Sequence, residues 1–516
     1  MANCVLNHWD NMDGTVERGY AGASLFFKDG GICYDPARVK AYAAWIASCG
    51  VNQISLNNVN VTPRAARLIT DELLPQLAEL AEIFRAQGIK LLIAVEFSAP
   101  QSIGGLSTCD PLNAVVANWW VRQTAVVYQH IPDLAGFLVK ADSEFRTGPA
   151  ALGRTQADGA NVIARALAPH GGNLYWRCFV YNCRQDWRDA ETDRARAAHD
   201  HFQPLDGQFE DNVILQIKNG PMDFQVREPV SPLLLSLKRT KIALELQLTQ
   251  EYTGQQIDLY AHAPQWSEVF DTLGGTPLAA VCGVANIGDG AFFTGHPLAE
   301  CNMYAFGRLA KDPKADAGDI IRDWVREKFG RDILELSDIL IRSREVYEKY
   351  NAPLGIGWMV NINHHYGPSV DGYEYMKWGT YHRASHRAIG VDRTPGGTGY
   401  TSQYPAELAA VYENIDTCPE NLLLFFHRLP YDYRLKSGKT IIQHIYDTHF
   451  EGAESAENFL WTWKGLKSQI PEDIYAEALR RFELQLENAR EWRDVINTYF
   501  HRLTDIPDEK GRKIYD

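Results

Sequence analysis

The chain has 516 residues, and 51 Lys+Arg against 65 Asp+Glu give a formal net charge of −14 at pH 7, which argues against nucleic acid as the main partner. Hydrophobic residues at 45% and charged residues at 22% match an ordinary folded protein and exclude a disordered or fibrous chain. A single core stops growing near roughly 250 to 300 residues, so two domains are expected.

The N-terminal stretch MANCVLNHWDNMDG has no basic region followed by an apolar run. No later window reaches the ~18 apolar residues of a membrane span, so a soluble, cytoplasmic protein with no membrane partner is expected. The first 300 residues then alternate short apolar runs rich in β-branched residues with longer stretches of helical periodicity, the pattern of repeated βα units around a parallel sheet. Eight strands are predicted: Cys4 to Trp9, Val51 to Asn57, Lys90 to Phe97, Ala135 to Lys140, Leu174 to Tyr181, Val213 to Lys218, Ile242 to Thr249 and Leu278 to Ala285. Eight is the number that closes a barrel. Helices are predicted over Asp35 to Ser48, with Pro36 in the first turn, over Arg64 to Gln87 after the start signal Thr62-Pro63, and over Leu112 to His130. An open doubly wound sheet would call for a glycine-rich fingerprint after the first strand, and none follows Trp9.

From about Cys301 the strand signal stops, and Asp319 to Tyr350 and Pro471 to Leu503 are the longest helical segments. The expected fold class is therefore α/β, a (β/α)8 TIM barrel over 1–300 followed by a C-terminal all-α domain over 301–516. Between the helices lies an irregular region from Ala352 to Pro405, dense in Gly, His, Tyr and Trp and too long for a passive connection. Its aromatic residues Trp358, Tyr366, Tyr373, Tyr375 and Trp378 read either as core or as a rim over the barrel mouth.

In such a barrel the site lies at the C-terminal ends of the strands. The fourth predicted strand runs GFLVK and continues ADSE, giving Lys140 and Glu144; the fifth contains YWRCF, giving Arg177. The sixth ends at Lys218 with Asp223 in the following loop, and the seventh leads to Glu251. Each of these alone reads as a cap, a loop residue or an ion-pair partner. Together, carboxylates converging without a phosphate loop, a nucleophile elbow or a metal motif suit hydrolysis of a glycosidic bond. Three cations exceed what neutral sugars need, and suggest an anionic substrate, most simply a uronic acid.

Other residues stay open from position alone. Trp9 reads as a sugar platform or a barrel plug, Asn57 and Asn58 as hydroxyl binders or caps, and Glu96 as a site residue or a partner of Lys140 or Arg177. His364-His365 has no carboxylate at ligand spacing, and His444 and His449 stand five apart, a poor chelating geometry, so no metal is expected. The nine Cys are scattered, without the spacing of a disulfide scaffold or zinc ribbon, and Cys178 and Cys183 read as inert thiols.

At these residues the sequence resembles the α-glucuronidases of glycoside hydrolase family 67. The motifs are NHWDNMDGTVERGYAG at Asn7 to Gly22, FLVKADSEFRTGP at Phe137 to Pro149, and DGQFEDNVILQIKNGPMDFQVREP at Asp206 to Pro229. They continue with ELQLTQEYTGQ from Glu245, GIGWMVNINHHYGP from Gly355 and GKTIIQHIYDTHFEG from Gly438. The resemblance implies a (β/α)8 barrel followed by a helical, often dimerising, domain and an inverting hydrolase without a cofactor. The implied substrate is a xylo-oligosaccharide bearing 4-O-methyl-glucuronic acid linked α-1,2 to its non-reducing terminal xylose. By the same resemblance Glu144 matches the general acid, and Asp223 with Glu251 the pair that activates water. Lys140, Arg177 and Lys218 match residues around the uronic carboxylate and hydroxyls, and Trp9 the aromatic wall. Family members usually carry an N-terminal β-rich domain ahead of the NHWDN motif, which here begins at Asn7. A non-catalytic carbohydrate-binding protein, or a hydrolase of a related uronoside, is the alternative.

Overall fold

The computed structural model describes residues 2–144, 146–179, 193–361, 364–370 and 381–515. Eight parallel strands close a barrel: β1 (Asn3–His8), β2 (Gln53–Leu56), β3 (Lys90–Val95), β4 (Gly136–Val139), β5 (Asn173–Arg177), β6 (Val213–Lys218), β7 (Lys241–Gln247) and β8 (Ala280–Ala285). Each strand pairs with its sequence neighbours, and β1 closes the ring against β8, with Val5 opposite Cys282. All eight predicted strands are present, most of them shorter than expected at the C-terminal end. Trp9, Asn57, Lys140 and Phe179 therefore lie just past the strands, in the loops of the barrel mouth. Val180, Tyr181 and Cys183 fall outside the described residues.

The strands are buried on both faces, as in a barrel wrapped by helices. Gly136 opens β4 at a φ of 138°, and a Cβ there would lie 1.8 Å from the Asn173 carbonyl oxygen, so only glycine lets β4 and β5 meet. The helix Pro36–Ser48 starts as predicted, its Asp35 side chain accepting from the Ala37 and Arg38 amides. Ala114–His130 is capped by Asn113 in the same way. The single helix expected over Arg64 to Gln87 is instead a 3-10 turn, Ala65–Ile69, and a helix, Leu74–Arg85. Pro75 is the reason: it has no N–H to give and its ring clashes with the preceding turn, so the helix restarts around it. The expected helix over Asp319 to Tyr350 also divides, into Ala317–Phe329 and Leu334–Asn351, because Gly330 takes a left-handed φ of 69° and ends the first.

The C-terminal helices pack against the β7 side of the barrel. Helices Ile441–Gly465 and Glu472–Thr504 lie side by side, and one continuous apolar cluster runs from Val5 in β1 through Phe306 to Trp492 and Phe500. Polar contacts pin the loop after β7 to these helices: the Ala261 amide donates to Ser343, the His262 amide to Asn302, and the Leu259 amide to Gln485. At the centre of that seam the buried Asp258 accepts from the Tyr350 hydroxyl at 2.7 Å, the Asn488 amide at 2.5 Å and the Tyr366 hydroxyl at 3.3 Å. Among the described residues no helix is long and apolar enough to cross a membrane.

Burial pushes the Asp258 carboxyl up to about 7, although its three donors pull the other way. An acid whose folded pKa lies above its unfolded value, ~3.9, binds more protons folded than unfolded between those two pH values. Its stabilisation is complete below the lower value and is lost as pH rises towards 7. Asp258→Asn, neutral at every pH, is therefore expected to gain on the wild type by a few kcal/mol between pH 4 and pH 8. Urea unfolding of both proteins at the two pH values checks this, and a pH-independent difference would refute it.

Candidate active site

Side chains alternate in and out along a strand, and towards the C-terminal ends of β5, β6 and β7 the inward positions are polar. Deep in the barrel the Tyr175 hydroxyl donates to Gln53 across the interior at 2.9 Å, and the Gln216 amide donates to Asn7 at 2.7 Å. One layer higher Arg177 meets Glu245 through two parallel bonds of 2.8 and 2.6 Å, and Gln216 donates to the same carboxylate at 2.6 Å. Arg177 is 1% exposed and Glu245 0%. Burial alone would push the Glu245 carboxyl up, but the Arg177 charge outweighs it and holds the group low.

Above this layer lie the strand-end charges. Lys218, the last residue of β6, pairs with Asp223 from the loop that follows. Lys140, immediately after β4, pairs with Glu144 and donates to Asn60 at 2.8 Å. The Phe179 ring gathers the cations: Lys218 Nζ is 3.3 Å from its centroid, Lys140 Nζ 5.4 Å and the Arg177 guanidinium carbon 5.5 Å. The same guanidinium carbon lies 5.1 Å from the Trp9 ring. Trp9, Lys140, Glu144, Arg177, Lys218 and Asp223 thus share one mouth.

Asp223 is held by its loop. The Ser231 amide closes the loop on the Asn219 carbonyl at 2.7 Å, and the Glu228 carboxyl accepts the Met222 amide at 2.9 Å and the Gln225 amide at 3.1 Å, one on each side of Asp223. A Cβ on Gly220 would come within 2.1 Å of the Glu228 carboxyl carbon, so a larger residue there would displace the Glu228 side chain that braces this loop. Burial raises the Asp223 carboxyl, but the charges of Lys218 and Arg194 overcome it and hold the group at about 2. The Tyr252 hydroxyl donates to its second oxygen at 2.9 Å.

Glu251 stands beside Tyr252 and is 1% exposed. It accepts Arg18 Nε at 3.0 Å and lies 3.2 Å from His365 Nδ1. Burial works against its charge, yet the His365 bond and the Arg18 charge keep it below the usual carboxylate range. The Tyr252 ring stacks on Trp358, with centroids 4.8 Å apart at 4°, and on His365, 4.3 Å apart at 22°. The irregular region after Ala352 therefore contributes Trp358 and His365 to the wall of the site. Tyr373, Tyr375 and Trp378 lie outside the described residues.

The remaining candidates have other tasks. Asn57 donates to the Ala94 carbonyl, Asn58 to Asn11 and Glu17, and Glu96 accepts from Ser102. Cys178 is buried, its thiol pushed far above its usual value by burial and then by Glu245. His449 lies 2.7 Å from the Ile445 carbonyl of its own helix. Several residues of the site escape the sequence reading: Arg18, Phe179, Glu245, Tyr252 and His365. For Glu245 a signal exists, since β7 reads KIALELQ and sets polar residues alternately among apolar ones in a wholly buried strand. Nothing local marks Arg18 or His365.

The chain is thus a closed parallel (β/α)8 barrel whose mouth carries three carboxylates matched to lysines, arginine and histidine. The family comparison sharpens this: the glycosyl hydrolase family 67 middle domain matches residues 1–292 and the family 67 C-terminus matches residues 294–513, so the chain belongs to glycosyl hydrolase family 67. Among its relatives, the probable alpha-glucuronidase A of Aspergillus clavatus and that of Aspergillus flavus are each 46% identical, the match covering 98% of this chain and 63% of each relative. Alpha-glucuronidase A of Aspergillus tubingensis is 43% identical over the same shares. The chain spans 63% of the length of these curated relatives.

Proposed function

We propose that this chain is an α-glucuronidase that releases glucuronic acid, or its 4-O-methyl ether, from the non-reducing terminal xylose of xylo-oligosaccharides with inversion at the anomeric carbon. The observation that carries the reading is three carboxylates in one mouth, Asp223 and Glu251 from the loops after β6 and β7 and Glu144 from the loop after β4. Asp223 and Glu251 are held ionised by Lys218, Arg18 and His365, as a water-activating pair requires. Glu144, from the loop after β4, pairs with Lys140. Glu144, on a different loop from the Asp223 and Glu251 pair, is placed to protonate the xylose oxygen as it departs.

The mechanism is a single displacement. Water approaches the anomeric carbon from the Asp223 and Glu251 side and loses its proton to that pair while Glu144 protonates the leaving oxygen on the opposite face. The two aspartate and glutamate groups interact through one buried site, so the proton belongs to the pair. Lys140, Lys218 and the Arg177 nitrogen that Glu245 does not hold supply positive charge for the uronic carboxylate and hydroxyls, and the Trp9 ring supports a sugar face. The relatives' names and the cationic walls both favour a uronic acid over a neutral sugar. The same reading divides the chain into a catalytic barrel over 1–300 and a helical domain over 301–516 that pairs two copies. Leu334, 69% exposed, and Trp461, 62% exposed, are apolar surface on those helices that such pairing would cover.

Proton NMR of the protein mixed with an aldotetraouronic acid carrying 4-O-methyl-glucuronic acid tests the proposal directly. The β-anomer of the uronic acid is expected before mutarotation. The α-anomer first would refute inversion, and binding without release would leave a carbohydrate-binding protein.

A further inference from the structure

The His365 imidazole comes to Glu251 from a segment 114 residues further along the chain. Its backbone is pinned on both sides: the His365 amide donates to the Asn361 carbonyl at 2.9 Å, and Gln255, from the loop after β7, donates to the His364 carbonyl. His365 takes a φ of 56°, a left-handed conformation that a side chain adopts only where its surroundings over-determine it. The ring is 3% exposed and lies against Tyr252 and Trp358, so it has one orientation.

That orientation sets the proton. Nε2 lies 3.5 Å from Arg18 Nη2, and Nδ1 lies 3.2 Å from Glu251 Oε1. A guanidinium nitrogen only donates and a carboxylate oxygen only accepts. Nε2 must therefore present its lone pair to Arg18, and Nδ1 must carry the hydrogen that Glu251 receives. The opposite tautomer would oppose N–H to N–H at one end and lone pair to lone pair at the other. Arg18 Nε reaches the same Glu251 oxygen at 3.0 Å, which closes a triangle of three side chains.

We propose that His365 is a positioning residue for Glu251: a neutral imidazole whose Nδ1–H fixes the direction of the carboxylate and whose tautomer is set by Arg18. The proposal rests on the reading of Glu251 as part of the water-activating pair and names a group that this pair depends on. Among the described residues, the charged and titratable groups facing Glu251 include Arg18, Glu17 and Tyr20 from the segment after β1, Asp223 from the loop after β6, Tyr252 beside it, and His365. Arg18 and His365 favour the carboxylate, whereas Asp223 opposes it. Loss of the His365 bond thus raises the pH at which Glu251 takes a proton.

Two variants separate positioning from packing. His365→Leu keeps an apolar filler but no donor, and His365→Asn places an amide N–H where Nδ1–H stood. A hydrogen bond to a charged group contributes about 1.5 to 3 kcal/mol, so His365→Leu is expected to lower kcat by about tenfold or more with KM little changed. Its acid limb in the kcat–pH profile should move to higher pH, and His365→Asn should restore both rate and limb. Equal losses in the two variants, with the limb unmoved, would overturn the proposal in favour of ring stacking alone. Ring ¹⁵N spectra of the histidine-labelled enzyme give a readout without turnover. The resonances missing from His365→Asn are expected to show a protonated Nδ1 and a bare Nε2 at pH 7, and an Nε2–H tautomer or an imidazolium would also overturn it. If the base reading itself is wrong, Glu251→Gln will turn over like the wild type while the ring tautomer stays as described.

Discussion

Glu144→Ala is expected to lower kcat on an aldouronic acid by about 10²- to 10⁴-fold, the range that general acid catalysis supplies. Departure of a xylose hydroxyl without a proton would generate an alkoxide, and Glu144 is the carboxyl in the mouth that stands on the loop after β4, apart from the Asp223 and Glu251 loops. The same variant should lose far less with α-glucuronosyl fluoride, because fluoride leaves without protonation. The comparison of the two substrates isolates the acid from any general damage. A loss below tenfold on the oligosaccharide, or equal losses on both substrates, would exclude Glu144 as the acid. Glu144 also sits at a φ of 48°, a left-handed position of the kind that concentrates at functional sites.

Glu245→Ala is expected to destabilise the fold by about 3 to 5 kcal/mol, the cost of stranding a buried charge. Arg177 and Glu245 face each other with no water between them, and the Gln216 amide completes the carboxylate's bonding. Without the carboxylate the guanidinium keeps its charge and loses its bidentate partner at a position only 1% exposed. Replacing both members, Arg177→Met with Glu245→Leu, should recover much of the loss, because the penalty comes from the unpaired ion and not from absence of the pair. Urea-unfolding midpoints of the single and double variants decide the matter. The single-variant loss should also resist added salt, since a pair this deep is poorly screened. A midpoint near that of the wild type for Glu245→Ala would mean that water or another group reaches Arg177 in the barrel.

Much of the architecture was legible locally. Each of the eight strands is a short apolar run between turn signals, and each predicted position matches a barrel strand. The Asp35-Pro36 start signal and the Asn113 cap act over a few residues, and both helices begin there. The failures were equally local in origin: Pro75 and Gly330 interrupt segments whose apolar periodicity runs straight through them. For the site, the barrel rule and the strand-end positions single out Lys140, Glu144, Arg177, Lys218, Asp223 and Glu251, and the structure gathers all six at the barrel mouth.

Their partners were not legible. Arg177 reads as a strand-end cation, yet two of its nitrogens belong to Glu245, 68 residues away. The histidine pair at 364 and 365 reads as a failed metal motif, and His365 instead completes the surroundings of Glu251. Side-chain periodicity and capping are short-range properties of the chain, so the strands, the helices and the polar residues that arrive at the barrel mouth can be read from neighbouring residues. Which charges meet across the barrel, Arg177 with Glu245 and Arg18 and His365 with Glu251, follows from the closed fold, because these partners lie between 68 and 233 residues apart and the strength of each pairing depends on how completely the barrel removes it from water.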